Sequence, residues 1–173
     1  GGLIKLDNLR TISLAGNTNE RVQFDVGTGQ TQNLPQLTSA HRTYINLGAG
    51  ASLSAPLLTS LTESVVTAAA SQNLIFSGFT NADGSIFRAT GGSTIAGIAD
   101  SDYNYFGSAI SLRSGATIFS ADGAGSTVDA SGVVLIRNGS PHGRMVFAVS
   151  ATNGGSVNLS GLTTITPYDG QDD

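Results

Sequence analysis

The sequence predicts an all-β chain, a single-stranded parallel β-helix (β-solenoid) with coils of about 21 residues. Three observations predict it. Residues of one character recur every 21 positions, without a gap, through the first half of the chain. One fixed spacing of apolar residues occurs at both ends. The composition lacks helix formers and is rich in Ser, Thr, Val and Ile, with 23 Gly and only 12% charged residues among 173.

The columns come first. Phe24 is followed at 21-residue steps by Ile45, Val66 and Phe87, and Val26 by Leu47, Ala68 and Ala89. Gly29 is followed by Gly50, Ser71 and Gly92; Leu37 by Leu58 and Phe79; Thr38 by Thr59 and Thr80. A unit this short, built from two or three strands, cannot bury its apolar face alone, but it can do so against a neighbour of the same pattern. Equivalent residues should then stack about 4.8 Å apart, the spacing of paired strands.

Within a unit the apolar positions fall at offsets 0, +2, +5 and +8 after a Gly-rich turn. Ile4, Leu6, Leu9 and Ile12 obey this, as do Leu53, Ala55, Leu58 and Leu61, and Val157, Leu159, Leu162 and Ile165. Offsets 0 and +2 are strand alternation, and the odd step to +5 requires a corner or bulge that turns the next side chain inward. A leucine-rich repeat has units of similar length, but its Asn/Cys ladder position and helical segment are missing.

Beyond Gly92 the regularity decays. The next step, Ile86 to Ile110, is 24 residues, and the register between Ile110 and Met145 is ambiguous. Protruding loops are expected at Asp100–Ser108, Asn138–Arg144 and Gly16–Glu20. Asp100 falls in the inward column of Leu37, Leu58 and Phe79, where an unpaired carboxylate would be costly, so the register is expected to break just before it.

The end stretches GGLIKLDNLRTI and GGSVNLSGLTTI, with the columns between them, resemble right-handed parallel β-helix repeats of large bacterial surface and secreted proteins, the adhesins among them. The resemblance implies a right-handed solenoid over residues 1–168, of roughly seven coils, within a longer protein. Residues 169–173 would be an acidic tail or the start of a linker. It also implies a non-catalytic structural or adhesive rod, extracellular or at the cell surface, whose partners are neighbouring domains of the same polypeptide.

Composition and motifs bound the chemistry. A net charge of −4 with few Lys and Arg argues against nucleic acid, and no apolar run reaches the length of a membrane span. With no Cys, disulfides and thiolate metal sites are excluded. Nucleophile elbow, phosphate loop, dinucleotide fingerprint and zinc-protease motif are all absent, and His41 and His142 lack ligand spacing.

The stretch DSDYNYFG, Asp100–Gly107, carries the most suggestive chemistry. Asp100, Asp102 and Asn104 alternate as calcium ligands do, although the Gly comes late and Ser111 stands where a closing Glu would be. Tyr103, Tyr105 and Phe106 form the densest aromatic cluster and are candidates to stack on sugar rings; alternatively they cover the register shift. The second functional expectation is therefore a polysaccharide-binding or polysaccharide-cleaving module. Cleavage would draw on Asp83, Asp102, Asp122 and Asp129 with Arg88 or Arg113, though Asp beside Gly is also an ordinary turn former. No cofactor is expected apart from calcium. Thr38, Thr59 and Thr80 form one rank, but the paired Thr-x-Thr ranks of ice-binding surfaces do not recur.

Overall fold

Parallel pairing brings the 21-residue columns together. The computed structural model describes residues 4–14, 20–105, 116–139 and 147–166. Every regular element among them is a β-strand of two to seven residues, and every strand pairing is parallel. None of the described residues forms a helix that could cross a membrane.

The longest sheet has six strands in the order Val22–Val26, Thr43–Leu47, Val65–Ala68, Ile86–Thr90, Ala116–Asp122 and Phe147–Thr152. Phe24 pairs with Ile45, Ile45 with Val66, Val66 with Phe87, Phe87 with Phe119, and Phe119 with Val149. Asn73–Phe79, Thr94–Ile98, Thr127–Asp129 and Ser156–Asn158 form a second sheet, with Leu74, Ile95, Val128 and Val157 in one column. Thr31–Asn33 and Ser52–Ser54 pair separately, with Gln32 opposite Leu53. Leu53 lies 21 residues before Leu74.

Two three-stranded sheets complete the set. One contains Thr11–Ile12, Ser39–His41 and Ser60–Thr62; the other contains Asp102–Tyr105, Leu135–Asn138 and Thr164–Thr166. Chain neighbours thus lie in different sheets, and the chain returns to the long sheet once per unit.

All these sheets face one hydrophobic core. Rings from three of them meet there: Phe79 and Phe87 lie 6.1 Å apart, Phe87 and Phe119 6.0 Å, and Tyr103 and Phe119 5.4 Å between centroids. Leu58, Leu61, Val66, Phe79 and Phe87 have no solvent exposure. Each such side chain contributes about 1.5–3 kcal/mol by leaving water.

The odd step in the apolar spacing is a tight turn. The N–H at offset +5 donates to the carbonyl at +2: Leu9 to Leu6 at 3.1 Å, Leu37 to Leu34 at 3.2 Å, Leu58 to Ala55 at 3.1 Å, Val133 to Ala130 at 3.0 Å and Leu162 to Leu159 at 3.0 Å. Val128, Ala130, Val133 and Ile136 obey the same spacing and are all fully buried. This sets the register of residues 116–138 within the ambiguous stretch. The expected 24-residue step to Ile110 is corrected, because Phe87 pairs with Phe119, 32 residues on.

The longer steps have one location. The connections Ile12 to Val22, Tyr105 to Ala116 and Asn138 to Phe147 all run from a three-stranded sheet to the long sheet. In the 21-residue units the same corner takes only Arg42 between His41 and Thr43, and Glu63 with Ser64 between Thr62 and Val65. The loops expected at Gly16–Glu20 and in the later parts of Asp100–Ser108 and Asn138–Arg144 fall mostly outside the described residues.

At the corner leading from the long sheet, one column adopts positive φ: Gly29, Gly50, Gly92, Gly125 and Gly154 at 65–83°, and Ser71 at 62°. A β-carbon in this region costs about 1 kcal/mol. Buried hydroxyls serve the corner leading into the long sheet: Thr43 N donates to Ser64 Oγ at 2.9 Å, and Ser64 N to Ser85 Oγ at 3.0 Å.

Two outcomes follow from this packing. Leu58→Ala should lower unfolding free energy by about 2–5 kcal/mol in urea titration, since the tight turn around it limits collapse into the cavity. Ser71→Gly should raise the unfolding free energy by about 0.5–1 kcal/mol in the same titration, by relieving the one side chain in the glycine column.

Candidate functional site

Gly97, in the strand Thr94–Ile98, sets the geometry around Asp100. It has φ +88°, and a β-carbon there would lie 2.2 Å from the Phe76 carbonyl oxygen. The register shifts at this point, so that Ile98 pairs with Phe79 only 19 residues after it. The break expected before Asp100 is therefore present. Ile98 fills the inward column, and Asp100 lies in the extra residues that restore the register before the next strand.

Asp100 is nonetheless buried, at 5% exposure, and both its oxygens have partners. Oδ2 accepts from Ala82 N at 2.8 Å, and Oδ1 accepts from Asp102 N at 3.1 Å. Asp102 points outward and pairs with Arg137 of the following unit. Asn104 N donates to Asp83 Oδ1 at 2.6 Å. Of the three candidate calcium donors, the carboxylates of Asp100 and Asp102 therefore do not converge. Asp100 faces the backbone and Asp102 an arginine, and among the described residues no group of three His, Asp or Glu side chains is placed to hold a metal ion.

The aromatic expectation is corrected for two of its three residues. Asp102–Tyr105 is a strand, not a protruding loop, and its alternation turns Tyr103 and Tyr105 inward, where both are fully buried. Rings with no exposed face cannot stack on a sugar. Tyr103 continues the series Ala40, Leu61 and Ala82 at 21-residue steps. Its large ring projects beyond the small Ala82, and its hydroxyl donates to Ser85 O at 2.7 Å. Burial pushes the Tyr103 phenol well above its usual range, with the charges of Tyr105, Asp83 and Asp100 adding to the effect. Tyr105 packs edge-on to Phe147 at 6.0 Å. Phe106 lies outside the described residues, as do Arg113 and His142.

The acidic residues considered for cleavage are also dispersed. Asp122 Oδ1 accepts from Thr152 Oγ1 and Asn153 Nδ2, both at 2.7 Å, and these bonds hold its carboxyl below the usual range. Asp129 Oδ1 accepts from Asn158 Nδ2 at 3.0 Å. Asn158, which begins an N-glycosylation pattern, thus has its amide engaged. Asp25 Oδ1 accepts from Asn46 Nδ2 at 3.0 Å, His41 Nδ1 bonds Thr62 Oγ1 at 3.0 Å, and Arg42 pairs with Glu63 at 2.9 Å. In each case the partner belongs to the next unit, one strand spacing away. Thr59 and Thr80 hydroxyls likewise donate to the carbonyls of Thr38 and Thr59.

Asp83 is the exception in its electrostatics. Burial raises its carboxyl above the ordinary range, the bond from Asn104 opposes this, and the charges of Asp100 and Asp102 raise it further. The sequence reading missed its bond to Asn104, although the two lie 21 residues apart and stack by the same rule as Leu61 and Ala82. A groove of about 290 Å³ beside Pro56 and Ile75 is lined by Leu53, Ser54, Ala55, Phe76 and Ser77, with no titratable side chain.

No protein family, no curated protein and no solved structure matches the chain. The class the structure defines is an all-β protein of parallel sheets whose polar side chains bridge successive units. Tyr103→Phe should cost about 1–3 kcal/mol in thermal or urea unfolding, because the buried Ser85 carbonyl loses its donor.

Proposed function

We propose that the chain is a structural or adhesive β-solenoid segment of a larger extracellular or cell-surface protein. In this reading the parallel sheets are the faces of one right-handed β-helix, the hand that parallel crossovers take. Roughly seven coils span residues 1–168, with residues 169–173 beginning a linker. Its work is to hold distance and to present side-chain ladders, and its partners are the neighbouring domains of the same polypeptide.

The observation that supports this most is the column Phe24, Ile45, Val66, Phe87, Phe119 and Val149, which runs through six parallel strands in one sheet. The use of reactive side chains points the same way. Asp100 and Tyr103 bond backbone groups inside the fold, and Asp102, Asp122 and Asp129 bridge neighbouring units. General acid–base work needs such groups convergent on one open cleft.

The competing class is a module that binds or cuts polysaccharide. Incubation with uronic-acid polymers, followed by ultraviolet absorbance for unsaturated ends, together with a glycan array, separates the two. The expected result is neither release nor binding. Saturable glycan binding, or release that depends on Asp102 or Asp129, would replace the rod with a carbohydrate-directed protein.

A further inference from the structure

On one face of the stack two successive units are not joined. Strand Ser52–Ser54 belongs to the two-stranded sheet and Asn73–Phe79 begins the four-stranded one, although Leu53 and Leu74 lie one 21-residue step apart. The open side of each strand follows from its bonds on the other side. Ser52 N donates to Gln30 O at 2.9 Å and Leu34 N to Ser54 O at 2.8 Å, so Leu53 turns its backbone groups toward the gap. Thr94 N donates to Gln72 O at 2.6 Å, so Asn73 and Ile75 turn theirs toward it from the opposite strand. The groove of about 290 Å³ lies here. Leu53, which lines it, is only half-buried, whereas Leu74, Ile95 and Val128 of the same column are buried, and Ile75 at the lip is 71% exposed.

The corner before Asn73 differs from its neighbours. Elsewhere this corner closes with an N–H bonded to the carbonyl three residues earlier: Gln30 to Gly27 at 3.0 Å, Ala51 to Gly48 at 2.9 Å and Ser93 to Thr90 at 3.3 Å. Residues 69–72 lack that bond, and Ala70 and Ser71 both take left-handed φ, 61° and 62°. The buried Gln72 side chain fills the widened turn: Oε1 accepts from Ala69 N at 3.0 Å, and Nε2 donates to the Gly48 carbonyl of the preceding unit. The rung from Asn73 N to Ala51 O, the counterpart of Ser52 N to Gln30 O, is not made. At the far end of the gap Ser77 Oγ donates to Pro56 O at 2.7 Å.

We infer that this gap is a one-sided hinge in the stack, held open by Gln72. The same two units stay paired on both other faces. Tyr44, Ile45 and Asn46 pair with Val65, Val66 and Thr67 in the long sheet, while Leu61 N donates to Asn81 O at 2.9 Å and Glu63 N to Asp83 O at 2.8 Å. The units therefore tilt about these two faces while the third opens and shuts. Shutting exchanges the two side-chain bonds of Gln72 for backbone rungs, neutral hydrogen bonds for neutral hydrogen bonds, so the two arrangements lie close in free energy. Shutting also covers Leu53. The hinge stands on the strand pairing alone and holds equally for a rod and for a carbohydrate-directed module.

The test is pulsed electron–electron distance measurement on the whole chain, which has no Cys of its own. Nitroxides on Thr31→Cys with Ser156→Cys span the gap, and those on Asp25→Cys with Ser150→Cys span the same units along the long sheet. Each pair covers five strand spacings, about 24 Å. The Thr31–Ser156 distances should spread several-fold more widely than the Asp25–Ser150 distances, with a component at shorter range. Gln72→Ala, which puts in this corner the residue that Ala51 supplies one unit earlier, should collapse the spread onto the shorter component. The hinge is refuted if the two pairs spread equally, or if the wide spread survives Gln72→Ala. If that variant fails to fold, the comparison of the two pairs with Gln72 in place decides.

Discussion

Everything in this structure depends on like residues lying over like at one strand spacing. A unit of about 21 residues exposes an apolar stripe and a row of unpaired backbone groups on each edge. Neither can be satisfied within the unit. Parallel, in-register pairing satisfies both at once, since the bonds that join the edges also superpose Phe24, Ile45, Val66 and Phe87. A slip of one residue would turn each of these outward. The register is therefore held by the core and the ladder together.

The same constraint governs the polar groups. Side chains at equivalent positions are brought within bonding distance whether or not they are apolar, which is why Asp25 meets Asn46, Arg42 meets Glu63, and the Thr59 hydroxyl reaches Thr38. Such contacts at the surface add little stability one by one. Their buried counterparts matter more. Thr43, Ser64 and Ser85 hand backbone N–H groups at one corner from unit to unit, and loss of one hydroxyl would leave a donor stranded in the interior.

Much of this order was legible in the amino-acid sequence, and its failures have physical causes. The apolar spacing identified the ends, and it also runs through Val128, Ala130, Val133 and Ile136, where Ala130 between Gly-rich neighbours weakened the signal. Tyr103 illustrates the opposite error. Its place after Ala40, Leu61 and Ala82 was visible at constant step, but a Tyr among Asp and Asn reads as surface chemistry until the Ser85 carbonyl is seen to take its hydroxyl. The pairing of Phe87 with Phe119 could not be read from periodicity, because a long connection changes the count without changing the column. Gly97 likewise gave no warning, since its requirement is the nearness of the Phe76 carbonyl in the adjoining strand.

The connections after Ile12, Tyr105 and Asn138 all leave from the same corner, while the other corners keep their tight turns. Among the described residues, the connections that exceed the 21-residue unit all lie at this corner. That corner is consequently a natural graft site. Foreign peptides inserted in the long connections after Ile12, Tyr105 or Asn138 would leave the paired strands as they are, whereas one placed between Thr62 and Val65 would separate Ser64 from Thr43 N and Ser85 Oγ.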